Sequence, residues 1–311
     1  NAGLSAAFSA SKPQAWTCVI EAAPARLRCA ILVTRMDLGG AQEVALATAA
    51  RLDPERFDVT LFAGPGGALD DEARRRLGER FVTVPTLVHP IHPLKDLLAL
   101  GWLKWRLLRG RYQVLHTHSS KAGLLGRLAG FVTRVPRRIH TVHGWSFNDF
   151  QREPVFRCFV WIERLLAPLT HVLAVVAVSL REKGLLQGIG RPDQYALLRA
   201  GVDLSAWSKA RHDRRTLKTQ IPALRKHVVG VVANMKPQKA PLDFVRVAAK
   251  VCARRKDVDF VYIGDGPLAD DARALAKQLK ISSRVHLLGW QREPARLAAA
   301  FDVFLLPSLF E

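Results

Sequence analysis

Two similar segments, VLHTHSSKAG and IHTVHGWSF, each carry two histidines: His116 and His118 in the first, His140 and His143 in the second. Imidazoles could bind a metal ion, or they could line a cleft that binds anions and hydroxyl groups. Zinc needs three or four convergent ligands, and this spacing fits no closed zinc template. His116 and His118 share one face of a predicted strand, whereas His140 and His143 do not share a face. We therefore expect no metal site. We place His118 and His143, at strand ends, in a cleft, and His116 and His140 in the core.

Two other loops carry groups suited to phosphate. Gly39 and Gly40 open a predicted helix, where glycine permits close approach of a ligand and the helix N-terminus attracts anions. The Gly-x-Gly-x-x-Gly pattern and the acidic residue of dinucleotide-binding folds are missing, which argues against an NAD-dependent enzyme. Lys236 and Lys239 lie in a loop between a strand and a helix. Two cations there suit a diphosphate, although a solvated basic loop fits equally well.

Strand-like apolar runs alternate with amphipathic helical stretches along the chain. The predicted strands are Leu27–Thr34, Phe57–Phe62, Arg80–Val84, Gln113–Thr117, Arg138–Val142, His171–Val178, Tyr195–Leu198, Val228–Ala233, Val258–Ile263, Arg284–Leu288 and Asp302–Leu306. Alternation of this kind predicts parallel sheets with right-handed crossovers. The polar, basic stretch 205–226 divides the strands into two sets. We therefore predict an α/β protein with a flexible leader at 1–26 and two Rossmann-like domains, at 27–200 and 201–311.

In open parallel sheets, ligands bind beyond the carboxyl ends of the strands. Glycine, polar and cationic residues follow most of the predicted strands, including Ser119 and Lys121 after the strand that ends in His118, and Gly264 and Gly289 in the second half. If the two edges face each other, they enclose a cleft.

Composition limits the possible partners. The chain has 311 residues, 49% of them hydrophobic, and a formal net charge of +20, which favours phosphate-bearing or carboxylate-bearing partners. No helix-turn-helix or aromatic-rich basic motif supports nucleic acid. The four cysteines lack metal-ligand spacing, so we expect them to be reduced in a cytoplasmic protein. We expect no signal peptide, and charges within the apolar stretch 155–180 argue against a membrane span.

The stretch PLKDLLALGWLKWRLLRGRY, residues 93–112, is amphipathic and basic, with Trp102 and Trp105. Helices of this type can lie on anionic membranes, although an ordinary packed crossover helix has the same pattern. We expect peripheral contact with the inner face of the plasma membrane as one interpretation.

A set of segments occurs in this order: LGGAQEVALATAARL, HTHSSKAGLLGRLAG, HTVHGWSF, VAVS, AGVD, PQKAPLDF, GDGPL, LLGW and LLPSLFE. Together they resemble family 4 of the retaining glycosyltransferases, from about Leu27 to Glu311. The resemblance implies the GT-B fold, in which two Rossmann-like domains face a cleft. Within the family, the histidine segments are similar to those of bacterial enzymes that build capsule, exopolysaccharide or lipid-linked glycans.

The resemblance also implies roles for individual residues. His143 and Glu311 would lie near the donor sugar, and Lys239 would neutralise the nucleotide diphosphate. The catalytic set is thus His143, Lys239 and Glu311. The donor-binding set is Asn234, Lys236, Gly264, Gly289, Trp290 and Gln291. The acceptor and phosphate loop set is Gly39, Gly40, His118, Ser119 and Lys121.

The chain departs from the family pattern at several positions. Asn234 stands where the family usually has arginine, and Lys236 could take over its phosphate contact. Ala240 replaces a common glycine and Ala200 a common asparagine. The family's second glutamate, eight residues beyond Glu311, and the closing helices are absent, so we expect a C-terminally truncated second domain and reduced activity.

The resulting hypothesis is a glycosyltransferase that moves a hexose from a nucleotide sugar, with UDP as the commonest carrier, to a glycan or lipid-linked acceptor. No Asp-x-Asp motif occurs, so we expect transfer without a metal or other cofactor. Two alternatives remain open: a nucleotide-sugar epimerase on the same fold, and a non-catalytic sugar-nucleotide-binding fragment.

Overall fold

The computed structural model describes residues 26–201, 207 and 214–310. The expected leader lies outside these residues except for Arg26, and so does Glu311. The chain forms an α/β fold with two domains, each built on its own parallel sheet.

The first sheet has seven parallel strands in the order β3-β2-β1-β4-β5-β6-β7. Its strands are β1 Leu27–Arg35, β2 Phe57–Gly64, β3 Phe81–Thr83, β4 Val114–His118, β5 Arg137–Val142, β6 Val172–Val175 and β7 Tyr195–Leu197. Six consecutive residues of β1, Cys29 to Thr34, are buried. Because β1 lies near the middle of the sheet, it is covered on both faces. Parallel strands covered in this way have continuous apolar runs in their sequence.

Helices cover both faces of this sheet. They are α1 Gly40–Arg51, α2 Asp70–Leu77, α3 Pro93–Gly110, α4 Ser120–Val132, α5 Glu153–Leu166 and α6 Val178–Leu186. Side chains of α1 and α2 pack with Ile31 and Val33 on one face. Side chains of α3 and α4 pack with Ala30 and Leu32 on the other face. Alternate residues of β1 therefore belong to opposite cores.

The second sheet has four parallel strands in the order β10-β9-β8-β11. Its strands are β8 His227–Val232, β9 Val258–Ile263, β10 Val285–Leu287 and β11 Val303–Phe304, and its helices are α7 Arg215–Gln220, α8 Pro241–Arg254, α9 Ala269–Gln278 and α10 Pro294–Ala298. Helices α8 and α9 pack on one face around Phe244, Phe260 and Tyr262. Helices α7 and α10 pack on the other face around Leu217, Val261 and Leu297.

The strand order reverses direction at one place in each sheet, between β1 and β4 and between β8 and β11. Loops that leave neighbouring strands at such a point run to opposite faces of the sheet and open a crevice between them. In the first domain the crevice separates the loop before α1 from the loop before α4. In the second domain it separates the loop before α8 from the segment after β11. Five of the site residues expected from the sequence lie in these segments: Gly39, Ser119, Asn234, Lys236 and Lys239.

The predicted α/β fold is confirmed, with strand ends that shift by one to three residues. The largest difference is at β6, which was predicted to reach Val178 but ends at Val175, because helix α6 begins at Val178. The predicted domain boundary at 200/201 stays a prediction, since residues 202–206 and 208–213 lie outside the described part. Among the described residues, no helix combines the length and the apolar character needed to cross a bilayer.

Candidate active site

Two hydroxyl groups join the loops on either side of the β1/β4 crevice. Ser119 and Thr34 share a hydrogen bond of 2.8 Å between their side-chain oxygens, and the Thr34 amide donates to Ser119 Oγ at 3.1 Å. Thr34 Oγ1 in turn accepts from the amide of Ala122 in α4. The backbone of Ser119 has φ 61° and ψ 156°, a conformation that costs about 1–3 kcal/mol outside glycine. Ser119 therefore holds the N-terminus of α4 against β1, and its side chain is not free for a ligand.

Three of the four histidines form a row of rings beside this junction. The ring centroids of His116 and His118 are 4.2 Å apart, and those of His118 and His143 are 5.2 Å apart. His118 Nδ1 and His143 Nε2 are joined by a hydrogen bond of 2.9 Å, and His116 Nε2 bonds Thr141 Oγ1 at 2.6 Å. The row runs from the interior of the sheet to its carboxyl edge, where His143 is half-buried.

The expectation that His118 is exposed to the cleft is wrong. His118 is only 1% exposed, because it lies between the rings of His116 and His143 and at the end of an interior strand. His116, which was expected in the core, is the slightly more accessible of the two. The core position expected for His140 is confirmed: its Nδ1 bonds Thr117 Oγ1 at 2.9 Å, and its ring lies against Gly123 of α4.

Burial keeps these imidazoles neutral at neutral pH. It lowers the pKa of His143, and it lowers the pKa values of His118 and His140 well below the usual range. Nε2 of His118 is buried and has no hydrogen-bond partner among the described residues. A buried unpaired N–H is disfavoured, so we assign the hydrogen of His118 to Nδ1, from which it donates to His143 Nε2. The remaining hydrogen of His143 is then on Nδ1, where it can be donated to a ligand oxygen.

Acidification is expected to destabilise the protein through the histidine row. Burial, with a smaller contribution from His143, lowers the pKa of His116 to about 4. The unfolded value is about 6.5, so the unfolded chain binds more protons between these values and stability falls as pH drops through that window. Between neutral pH and about pH 5, the free energy of unfolding of the wild type should fall by roughly 2 kcal/mol more than that of His116→Gln. The glutamine keeps an amide near the Nε2 position but does not titrate.

Urea unfolding of both proteins at the two pH values measures this difference. His89→Gln serves as the control, because it makes the same substitution at an exposed histidine outside the row. Equal pH dependence in the wild type and His116→Gln would show that His116 does not contribute to acid sensitivity.

A small pocket opens where the N-terminus of α4 meets the loop after β5. It is lined by Ser119, Ser120, His140, Thr141, Val142, His143, Gly144, Trp145, Ser146 and Glu163. Ser146 Oγ donates to Ser120 Oγ at 2.5 Å, so two hydroxyl groups lie at the mouth of a helix N-terminus. A Cβ placed on Gly144 would meet no atom within 4 Å. The pocket thus offers hydroxyls, an imidazole and helix amides, a set suited to hydroxyl-bearing or anionic ligands.

Lys121 does not point a free cation into this pocket. Its Nζ lies 2.7 Å from Asp96 Oδ1 on α3 and also donates to the carbonyl of Pro90.

On the other side of the crevice, Gly39 and Gly40 precede and begin α1 as expected. Gly39 has an extended backbone with φ 174°, neither glycine lies in the left-handed region, and a Cβ on Gly40 would meet nothing within 4 Å. The fold itself does not require glycine at position 40, so the space there is available to a ligand.

In the second domain, Asn234, Lys236 and Lys239 lie in the loop between β8 and α8. Asn234 and Lys236 are exposed and Lys239 is half-buried in the short 3-10 turn that precedes α8. Ala240 caps α8 in the left-handed conformation, φ 45° and ψ 55°, which costs an alanine about 1–2 kcal/mol relative to the right-handed region. This cost gives the physical reason why glycine suits position 240. Lys239 stands at the N-terminus of a 14-residue helix, whose dipole adds to its positive charge.

The loops after β9 and β10 meet at a backbone bridge. The Gly264 amide donates to the Gly289 carbonyl at 2.8 Å. A Cβ on Gly264 would lie 1.9 Å from the Ala233 carbonyl oxygen, so only glycine fits there. Trp290 is exposed, and Gln291 Nε2 donates to the Leu288 carbonyl. These two residues flank the bridge at the same carboxyl edge as Lys239.

Aromatic stacking joins the two domains at this edge. The rings of Phe150 and Phe310 lie 5.5 Å apart, with an angle of 24° between their planes. Phe150 lies in the same loop between β5 and α5 as His143. The segment of Phe310 is tied to the Lys239 loop, since Gln238 Nε2 donates to the Phe310 carbonyl at 3.1 Å. The contact therefore links the loop of His143, through the Phe310 segment, to the loop of Lys239.

Sequence reasoning missed the ion pair below the pocket. Arg127 of α4 is fully buried, and its Nη2 donates to both carboxylate oxygens of Glu163 on α5, at 3.1 and 2.9 Å. The available signal was Glu163, followed by Arg164, in the otherwise apolar C-terminal half of α5. No group of three histidine, cysteine, aspartate or glutamate side chains within the described ranges could hold a metal ion.

Comparison with known proteins agrees with this arrangement. Residues 38–206 match the profile of Glycosyltransferase Family 4, and residues 226–311 match that of Glycosyl transferases group 1. An Escherichia coli protein, UDP-Gal:alpha-D-GlcNAc-diphosphoundecaprenol alpha-1,3-galactosyltransferase, is 33% identical over 279 residues, which are 88% of this chain and 71% of that protein. The phosphatidylinositol N-acetylglucosaminyltransferase GPI3 subunit of Saccharomyces cerevisiae is 27% identical over 66% of this chain and 45% of its own length.

Among solved structures, Anabaena HepE in complex with UDP and glucose superposes with a TM-score of 0.74 at 17% identity, over 91% of this chain and 74% of that one. WaaG, a glycosyltransferase involved in lipopolysaccharide biosynthesis, gives a TM-score of 0.66 at 14% identity over 91% and 75%. Both likenesses establish the fold, which is that of the GT-B glycosyltransferases. The chain therefore belongs to glycosyltransferase family 4.

Proposed function

We propose that the protein transfers a hexose, with retention of configuration, from a UDP-sugar to a glycan or lipid-linked acceptor in bacterial polysaccharide synthesis. The observation that carries the proposal is the meeting of the His143 and Lys239 loops across the Phe150–Phe310 contact. The similarity to the E. coli galactosyltransferase supports UDP-galactose as the first donor to test and a diphosphate-linked lipid sugar as the first acceptor.

The donor binds mainly to the second domain and the acceptor mainly to the first. As the bond between the sugar and the diphosphate breaks, negative charge grows on the leaving phosphate oxygen. The acceptor hydroxyl oxygen bonds to the sugar carbon, and its proton passes to the leaving phosphate oxygen. Lys239 and the N-terminus of α8 stabilise that charge, because fixed positive groups need no reorganisation during the step. Lys236 takes the phosphate contact that Asn234 does not make, and Glu311 contacts the donor sugar.

His143 contributes a hydrogen bond to the donor sugar rather than a charge. Burial lowers its pKa, so it is neutral at neutral pH, and its bond to His118 leaves Nδ1–H for a sugar hydroxyl. We propose that the reaction needs no metal ion, because the lysines of the second domain neutralise the diphosphate instead. We also propose that the enzyme works on the cytoplasmic side of the plasma membrane, where a lipid-linked acceptor would be presented.

Incubation of the protein with UDP-galactose and a lipid-diphosphate-linked N-acetylglucosamine tests the function. A labelled disaccharide product with an α-anomeric proton in the NMR spectrum is the expected result. A donor converted to another sugar nucleotide without acceptor would indicate an epimerase instead. Binding of UDP in calorimetry without transfer to any acceptor would indicate a non-catalytic binder.

The role of His143 has its own test. We expect His143→Ala to lower kcat at least roughly tenfold, by loss of one hydrogen bond to the reacting sugar. His171→Ala is the control, because His171 lies at the start of β6, away from the carboxyl edge, and bonds the Arg138 amide. Full activity in His143→Ala would remove His143 from the donor site.

A further inference from the structure

The loop that carries His143 has a glycine directly beside the histidine. The loop runs from residue 143 to residue 152, between the end of β5 and the start of α5. A Cβ on Gly144 would meet no atom within 4 Å. A glycine in open space leaves the backbone free to adopt many conformations. The orientation of His143 therefore depends on how the chain is held on the far side of Gly144, at Trp145.

Trp145 anchors this loop on helix α6. Its indole Nε1 donates to the Leu180 carbonyl at 2.9 Å. Its ring stacks on Phe147, with the centroids 5.3 Å apart and an angle of 20° between the planes. The ring also packs against the buried cluster of Val142, Val175 and Leu180. Because both the N–H and the ring of the indole have partners, the backbone is fixed two residues after the histidine.

A glycine in α6 makes room for the indole. Gly184 is buried within the helix and lies outside the left-handed region, so its backbone conformation does not require glycine. A Cβ there would lie 2.6 Å from Trp145 Cζ2 and 2.3 Å from the hydroxyl oxygen of Tyr195. Glycine is less favourable than alanine inside a helix, so its presence calls for a reason in packing. The space that Gly184 leaves is the space that the indole and the phenol occupy.

Tyr195 completes the contact surface on which the indole lies. Its hydroxyl donates to the Ile189 carbonyl at 2.7 Å, which holds the phenol beside Gly184. We call Leu180, Gly184 and Tyr195 the indole seat. The seat is built by α6 and by β7, which pairs with β6 in the first sheet. The anchor of the loop therefore lies on regular elements of the domain and not on the loop itself.

The imidazole of His143 needs this anchor to keep its hydrogen bond. His118 Nδ1 and His143 Nε2 are 2.9 Å apart, and that bond selects the His143 tautomer with its hydrogen on Nδ1. A hydrogen bond weakens steeply with distance and angle, so a shift of the loop by about 1 Å would break it. Both tautomers of His143 would then be populated.

We propose that Trp145 is a positioning residue for His143. Held in the indole seat, Trp145 keeps the imidazole bonded to His118 and keeps Nδ1–H directed at a hydroxyl of the donor sugar. Trp145 acts through His143 and not on the substrate. The inference deepens the proposed function, because it rests on that proposal for the contact between His143 and the donor sugar. The coupling of Trp145 to the tautomer of His143 can be measured without that contact.

Nitrogen-15 NMR of the histidine rings tests the coupling in the absence of substrate. The ring shifts show which nitrogen carries the hydrogen, and comparison with His143→Gln identifies the signals of His143. We expect one tautomer in the wild type, with the hydrogen on Nδ1, and both tautomers in Trp145→Ala. Trp161→Ala removes an exposed tryptophan from α5 and should keep the wild-type signals.

Steady-state kinetics with UDP-sugar and acceptor separate positioning from a general structural role. Trp145→Ala should lower kcat at least roughly tenfold, close to the effect of His143→Ala. The double variant should be no slower than His143→Ala alone, because a residue that acts through the imidazole then has nothing left to position. A purely structural role would add its own loss to that of His143→Ala.

Gly184→Ala tests the seat from the side of the helix. The added methyl group would meet the indole and the phenol, so the loop should shift and kcat should fall as in Trp145→Ala. Gly101→Ala is the control, because Gly101 lies within α3 and a Cβ there would meet no atom within 4 Å. The control should keep kcat and raise the melting temperature, since alanine favours the helix.

A single wild-type tautomer of His143 in folded Trp145→Ala would overturn the proposal. So would a wild-type imidazole with its hydrogen on Nε2, or a double variant that is slower than His143→Ala. If Trp145→Ala melts at a much lower temperature than the wild type, Trp145→Phe takes its place. The phenylalanine keeps a ring beside Phe147 but cannot donate to the Leu180 carbonyl, so it too should show both tautomers.

The two readouts distinguish this proposal from the proposed function. If the wild type transfers no sugar while Trp145→Ala still changes the tautomer, the proposed function fails and the positioning of His143 by Trp145 stands. Transfer by the wild type, with kcat and tautomer both unchanged in Trp145→Ala, would do the reverse.

Discussion

Glu163→Ala is expected to lower the free energy of unfolding by about 3–5 kcal/mol, the cost of leaving a buried charge without its partner. Arg127 is completely buried between α4 and α5, and Glu163 is the carboxylate that faces it. Burial lowers the pKa of the Arg127 guanidinium, and the charge and hydrogen bonds of Glu163 oppose that shift. The remaining bond, from Arg127 Nε to the Gly123 carbonyl, supplies no negative charge.

Two matched variants isolate this effect in urea unfolding. Glu153→Ala on the same helix breaks an exposed ion pair with Arg157, and should cost less than about 1 kcal/mol. Arg127→Met/Glu163→Leu removes both charges and keeps apolar volume, so it should recover most of the lost stability. If Glu163→Ala costs no more than Glu153→Ala, the buried pair does not hold α4 and α5 together.

The main helices and strands could be predicted because local sequence signals define where each of them begins and ends. Strand β9 matches the prediction residue for residue, and helix α8 occupies one of the predicted amphipathic helical stretches. An apolar run with all six residues buried defines β9, and Pro241 at the first position defines the start of α8. Strand β6 was predicted too long because Val176 to Val178 are apolar in either conformation.

The surroundings of the site side chains could not be predicted in the same way. The loops at the carboxyl edges follow from strand order, which the alternation of elements already indicates. The burial of His118 depends on the rings of His116 in β4 and His143 in the loop after β5, which lie on either side of it. His143 is 25 residues away in sequence. The pairing of Lys121 with Asp96 is equally distant in sequence. Such partners depend on how α3 and α4 pack, and periodicity does not encode that geometry.

Lys239→Ala in the intact enzyme is expected to lower kcat/KM about a hundredfold, or roughly 3 kcal/mol, the loss found when one preorganised stabilising group is removed. The physical reason is the position of the residue. Lys239 is half-buried in the turn before α8, and its loop is bonded to the Phe310 segment, which stacks on Phe150 in the loop of His143. Negative charge on the diphosphate grows as its bond to the sugar breaks, so the loss should fall mainly on kcat.

Steady-state kinetics with UDP-sugar and acceptor, with kcat and KM separated, measure the effect. Lys250→Ala is the control: it removes an exposed lysine from helix α8, eleven residues further on. It should leave kcat unchanged, because a charge that is exposed to water and distant from the site is screened. Lys239→Arg should recover part of the rate, since it keeps the charge but changes the geometry. A KM effect alone would mean that Lys239 binds the donor equally in the ground and transition states. Unchanged kcat and KM would exclude it from the site, and the cation opposite the diphosphate would then have to be Lys236, the other lysine in the loop between β8 and α8.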